Sequence, residues 1–186
     1  MSRLLVTDLS LSGLKRIDRQ VHGDARGFLA RIFCADELAN AGWTKPVAQI
    51  NHTSTARRGT VRGLHFQRPP WAEMKLVTCL RGEVWDVAID LRPGSSTYLR
   101  WHAEVLSAAN HRALLIPEGF AHGFQTLGDD VEMIYCHSAP YAPEAEGGVN
   151  ALDMRLAIAW PLPIEARSPR DEVLPAIDES FEGVRT

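Results

Sequence analysis

Cysteine is scarce in this chain: Cys34, Cys79 and Cys136 stand far apart. An odd, dispersed set builds no disulfide framework, and without a C-x-x-C pair it offers neither a zinc knuckle nor a redox dithiol. Such cysteines are expected as small core hydrophobes. Long apolar runs are missing too. None approaches the ~18 residues of a membrane-spanning helix, and the N-terminal run Leu4-Leu5-Val6 breaks at Asp8, short of a secretory apolar segment. A reducing cytoplasm is therefore the expected location. Positive charge is not in excess: 20 Lys and Arg face 23 Asp and Glu, a net charge of -3. That balance gives no general attraction to nucleic acid or to an anionic membrane, although it leaves room for a local basic pocket. The phosphate-cradling G-x-x-x-x-G-K-[ST] and G-x-G-x-x-G loops, the G-x-S-x-G elbow and H-E-x-x-H are all absent.

What is present is the pattern of a β protein. The 186 residues are 45% hydrophobic and 23% charged, enough for one core without staples. No repeat, low-complexity run or linker divides them, so a single domain over 1–186 is expected. Strand-like alternation covers Phe28–Cys34, Val47–His52, Lys75–Leu80, Glu83–Asp90, Tyr98–Leu106 and Val131–Ser138. Turn chemistry at Arg81-Gly82, Pro93-Gly94, Ala109-Asn110, Glu118-Gly119 and Gly128-Asp129-Asp130 separates them. Short strands at this spacing predict a sandwich or barrel. One helix is expected, Ala35–Ala41, stopped by Gly42. The proline-bearing stretch from about Trp160 on reads as a C-terminal tail on the barrel.

Period-two alternation also sorts faces. Lys75 falls with Val77 and Cys79; Tyr135 and His137 fall with Val131 and Met133; Asp86 falls with Val84 and Ala88. Polar groups on apolar faces are buried only when they are paired or used.

Two histidine segments carry the chemistry. Gly59–Gln67 contains Arg62-Gly63-Leu64-His65-Phe66-Gln67, and Ile116–Phe124 contains Pro117-Glu118-Gly119-Phe120-Ala121-His122. The second matches the P-x-G-x-x-H turn-and-strand signature of cupins, small jelly-roll β-barrels. A metal cupin would carry a second His where Gln67 stands, and an amide is a poor transition-metal ligand. No metal and no cofactor are expected. The remaining set is organic: His65 as a base near neutral pH, Lys75 to stabilise an oxyanion, Tyr135 to return a proton, and Arg26, Arg62 and Arg170 to hold an anion. Strict alternation puts Arg62 and His65 on opposite faces of one strand, unless Gly63 hosts a bulge.

Taken in order, Asp24–Phe28, Gln49–Asn51, Arg62–Gln67, Lys75–Val77, Gly82–Val87, Asp90–Arg92, Ile116–Phe124, Tyr135, Tyr141–Pro143, Ala159–Pro161 and Ser168–Asp171 resemble the dTDP-4-dehydrorhamnose 3,5-epimerase family of cupins, over about 150 residues. R-G-L-H-F-Q with K-L-V beginning ten residues after the His is the most specific element. The resemblance implies an all-β jelly-roll cupin with short peripheral helices, acting on a dTDP-linked 4-keto-6-deoxyhexose. It implies His65 as base, Asp171 as its carboxylate partner, Lys75 near the C4 oxygen and Tyr135 as the opposed acid. It further implies substrate contacts from Arg26, Gln49, Asn51, Arg62, His122, Glu146 and Arg170, and stacking of Tyr141 on the base. It implies a homodimer with N-terminal strands crossing between subunits, which assigns Arg26 to the partner's site.

Arg31 stands where rhamnose-pathway members typically carry Glu, Pro140 where an aromatic is common, and Leu152 where an acid is usual. Double inversion at C3 and C5 is the leading expectation. A C3- or C5-monoepimerase on a dTDP- or other NDP-sugar, a 3,4-ketoisomerase, a non-catalytic sugar-nucleotide-binding cupin and a metal-dependent oxygenase stay open at this point.

Overall fold

Strands whose two faces are both apolar need cover on both sides, and the chain supplies it in layers. The computed structural model describes residues 3–186; Met1 and Ser2, at the start of the N-terminal run, lie outside the described residues. One sheet is ordered β1 (Leu4–Asp8), β2 (Lys15–Arg19), β10 (Arg112–Ile116), β7 (Lys75–Arg81), β12 (Val131–His137), β5 (Gln49–Thr55). The other is ordered β13 (Glu146–Gly148), β6 (Val61–Gln67), β11 (Phe120–Thr126), β8 (Glu83–Asp90), β9 (Trp101–Ser107). β3 (Val21–Asp24) and β4 (Gly27–Ala30) form a separate ribbon. Within the sheets, β5–β12–β7–β10 facing β6–β11–β8–β9 is the eight-strand order of a jelly roll, as expected for a cupin.

Three apolar clusters follow from this layering. Val77, Cys79, Val84, Ala88, Leu106, Leu114, Phe124, Met133 and Tyr135 fill the space between the sheets. Leu38, Trp43, Leu76, Leu115 and Cys136 pack on the outside of the six-stranded sheet, beneath α1 (Ala35–Ala39). Val87, Ile89, Leu91, Ala121, Leu156, Ile177 and Val184 lie outside the five-stranded sheet, under the chain after β13. The alternation in β7, β8 and β12 is thus a choice between two buried faces. Cys79 and Cys136 are buried, as expected, and Cys34 is partly so.

Some boundaries differ from the sequence reading. The ribbon strand ends at Ala30 rather than Cys34, because Arg31 turns away to ion-pair with Glu37 of α1. β9 starts at Trp101 rather than Tyr98. The buried Asp90 carboxylate collects Arg92, Ser95 and Thr97, and that turn consumes the residues before Trp101. α1 stops at Ala39, since the N–H groups of Ala41 and Gly42 bond back three residues and tighten its last turn. The stretch after 160 is ordered: Ala166 bridges Thr60, Ser168 caps α2 (Pro169–Glu172), and the Val184 N–H donates to the Leu91 carbonyl.

Candidate active site

β6 places the first functional side chains, through a register break. His65 pairs with His122 and Arg62 with Phe124, so Gly63 and Leu64 stand opposite Gly123 alone. One extra residue on one strand is a β-bulge, and it re-aims whatever follows. Arg62 and His65 consequently line the same cavity, against the strict alternation of the sequence. The position requires glycine: Gly63 has φ +124°, and a Cβ there would meet Gly123 Cα at 2.7 Å and the His122 carbonyl at 2.8 Å.

The cavity is about 260 Å³ and opens between the two sheets. His65 enters from the five-stranded sheet. Its Nε2 is 2.7 Å from Asp171 Oδ1, whose other oxygen accepts the Gly63 N–H at 3.1 Å. Asp171 comes from α2, where Ser168 Oγ accepts its N–H. Burial opposes ionisation of Asp171, but the His65 and Gly63 hydrogen bonds and nearby positive charge outweigh it and hold the carboxyl below its ordinary range. An ionised Asp171 keeps the imidazole proton on Nε2 and leaves the lone pair on Nδ1. Arg170 Nη2 approaches the same Nε2 at 3.0 Å, a close contact rather than a hydrogen bond while that nitrogen carries the proton, and Arg170 Nη1 is anchored by Glu146.

Tyr135 enters from the opposite wall, on β12. Burial, and after it the Asp86 carboxylate, push its phenol well above the ordinary value, so it keeps its proton at neutral pH. Its ring is edge-on to His122 at 6.0 Å and near-parallel to His137 at 6.1 Å. His122, on β11, reaches both oxygens of the fully buried Asp86 at 3.0 Å. Asp86 thus lies on the inner face, paired, as its alternation with Val84 and Ala88 requires.

Lys75, first residue of β7, is buried with Nζ 3.2 Å from Glu73 Oε1 and 3.4 Å from the His65 carbonyl. Gln49 and Asn51 project from β5 at the mouth, and Tyr141 donates its hydroxyl to Glu146 at 2.9 Å. Arg62, Lys75 and Arg170 give this one cavity three cations in a chain of net charge -3. Gln67 is occupied structurally: its amide nitrogen donates to the Trp71 and Pro140 carbonyls and its oxygen accepts the Ala142 N–H.

Of the residues singled out in the sequence, His65, Tyr135, Lys75, Gln49, Asn51, Arg62, His122, Tyr141, Glu146 and Arg170 line the cavity, and Asp171 stands behind His65. Arg26 does not join them. It sits at the tip of the β3–β4 ribbon, its side chain 89% exposed and paired with Asp24. Arg31 also lies outside the cavity lining. The sequence reading missed Glu73 and His137 as site residues. His137 shares its face with Tyr135, and Glu73 stands two residues before Lys75, so both carried a weak signal.

The profile of the family described as dTDP-4-dehydrorhamnose 3,5-epimerase matches residues 8–179. A dTDP-4-dehydrorhamnose 3,5-epimerase of Sinorhizobium fredii is 37% identical, the match covering 100% of this chain and 97% of that protein. A dTDP-4-dehydrorhamnose 3-epimerase of Streptomyces niveus is 40% identical over 88% of this chain and 79% of its own length. Among solved structures, the 3,5-epimerase RmlC of Legionella pneumophila in complex with dTDP-4-keto-L-rhamnose superimposes with a TM-score of 0.91 at 35% identity, covering 98% of both chains.

Proposed function

The chain belongs to the dTDP-4-dehydrorhamnose 3,5-epimerase family, and from that premise we propose that it inverts C3 and C5 of a dTDP-4-keto-6-deoxyhexose by the groups facing each other across its cavity. It is an isomerase. The C4 ketone acidifies the C–H bonds on either side, because each carbanion is an enolate. His65, with Nε2–H held by Asp171, takes the proton through its free nitrogen. Lys75 stabilises the charge that gathers on the C4 oxygen. Tyr135 delivers a proton to the other side of the carbon, and its high affinity for that proton keeps it a phenol until the enolate forms.

The observation that carries this reading is the placement of His65 and Tyr135 on opposing sheets around one cavity. Inversion needs two groups on opposite faces of a planar carbon, since a single base would return the proton to the side it left. A binding module needs no such opposition. Arg62 and Arg170 suit a diphosphate, because guanidinium forks match phosphate oxygens. Tyr141 is half-exposed at the rim, where a base could stack on it. Gln49, Asn51, His122 and Glu146 supply the polar contacts for the sugar.

The same reading makes the protein a cytoplasmic homodimer. Val21, Phe28 and Leu29 expose apolar surface on the β3–β4 ribbon, and Ile50 does so on β5, the open edge of its sheet. A ribbon that crosses to a second copy would cover that surface and carry Arg26 to the partner's cavity.

Proton NMR of the 4-keto sugar nucleotide in D2O tests the reaction. Deuterium entering at both C3 and C5 is expected. Entry at C3 alone would make the enzyme a monoepimerase, and no entry with a folded protein would leave a binding module.

A further inference from the structure

His137 is the one histidine of the cavity to which the reaction above gives no task. Its surroundings are nonetheless ordered end to end. The Tyr141 backbone N–H donates to Gln49 Oε1 at 2.9 Å. Gln49 Nε2 then donates to Asn51 Oδ1 at 3.0 Å. Asn51 Nδ2 lies 3.4 Å from His137 Nε2, and His137 Nδ1 lies 2.7 Å from Glu73 Oε2. Glu73 Oε1 pairs with Lys75, whose Nζ also reaches the His65 carbonyl.

The direction of this chain is fixed from both ends. A backbone N–H can only donate, so Gln49 presents its oxygen to Tyr141 and its nitrogen to Asn51. Asn51 must then present its oxygen to Gln49 and its nitrogen to His137. At the far end Glu73, held ionised by Lys75 and His137 against its burial, can only accept. Both ends demand the same histidine tautomer, Nδ1–H with a lone pair on Nε2. Each amide has one orientation that satisfies every link, and His137 is the joint at which the two halves meet.

We propose that His137 is a positioning residue for the epimerisation: by accepting from Asn51 and donating to Glu73, it fixes which polar atoms Asn51 and Gln49 turn to the sugar and where Glu73 holds the Lys75 ammonium. This deepens the reaction proposed above and rests on it. It assigns a further specificity element as well. With its oxygen committed to Gln49 and its nitrogen to His137, Asn51 meets the sugar with a set polarity rather than as a free rotor. A wrongly turned amide would set a donor against a donor at the cavity mouth.

Three measurements test this on the full-length protein. Long-range 1H–15N spectra of the histidine-labelled enzyme are expected to show His137 as the Nδ1–H tautomer; the Nε2–H tautomer overturns the proposal. Steady-state kinetics on the dTDP-4-keto sugar compare His137→Phe, which removes both nitrogens, with His137→Gln, which has one donor and one acceptor. His137→Phe is expected to lower kcat at least tenfold while affinity for dTDP, which lacks the sugar, stays within threefold. His137→Gln is expected to recover most of the loss. Wild-type kcat in His137→Phe, or a His137→Gln as impaired as His137→Phe, overturns the assignment. Should His137→Phe not fold, the tautomer spectrum and the kcat of His137→Gln decide. A wild-type enzyme that exchanges no substrate proton would sink the reaction itself, while the tautomer would still report on the chain of hydrogen bonds.

Discussion

Tyr135 and His65 line one cavity from opposite sheets. The phenol is buried and raised, so it stays neutral through the pH range in which an imidazole can act as a base. This separates two events. Tyr135→Phe is expected to lower the yield of inverted sugar by about 10²–10⁴-fold, the usual worth of a general acid. Deuterium should still enter with retention, because His65 can remove a proton and return a solvent deuteron to the same face. NMR that follows exchange and inversion in one sample checks this; equal loss of both would move the base role away from His65. His65→Ala should abolish both, with dTDP affinity by calorimetry largely unchanged.

At the scale of elements, the bulge in β6 decides whether there is a site. It turns Arg62 and His65 to one side and presents the Gly63 N–H to Asp171. Gly63→Ala places a methyl group against the His122–Gly123 backbone of β11 at a φ that L-residues rarely adopt. The cost is expected at about 1–3 kcal/mol, as for overpacking with strain. Thermal unfolding measures it, and kcat should fall further than stability alone explains, since the His65–Asp171 pair moves with the bulge. A Gly63→Ala enzyme of unchanged kcat would show that the register break is dispensable. β12 works differently. Paired on both sides by β5 and β7, it holds Tyr135 and His137 on one face at the fixed two-residue spacing of a strand.

At the scale of the molecule, the cavity draws on distant parts of the chain. The C-terminal segment crosses the five-stranded sheet so that α2 can supply Asp171, 106 residues from His65. Arg26, on the β3–β4 ribbon, is exposed and does not line the cavity of its own chain. If it serves a second copy, mixing Arg26→Ala with His65→Ala should form heterodimers with one complete site. Random reassortment of two such inactive variants would restore about a quarter of wild-type activity. No recovery after verified subunit exchange would confine each site to its own chain.

The amino-acid sequence by itself determined the class and much of the chemistry. Short alternating runs between turn residues are local signals, and they grouped Lys75, Asp86, Tyr135 and His137 each with apolar residues on one strand face before any partner was known. The R-G-L-H-F-Q and P-x-G-x-x-H segments, also local, carried His65 and His122. What the tertiary structure alone decided is non-local. A bulge is defined by the strand opposite it, so only Gly123 on β11 reveals that Arg62 and His65 face the same way. Glu73 carries no recognisable motif, yet the fold brings it to Lys75 and to His137 on β12. Arg26, which the resemblance assigns to a partner's site, lies outside the cavity of its own chain. Spacing along a chain fixes direction within one strand; which strands meet, and in what register, is settled by packing and by the pairing of every buried polar group.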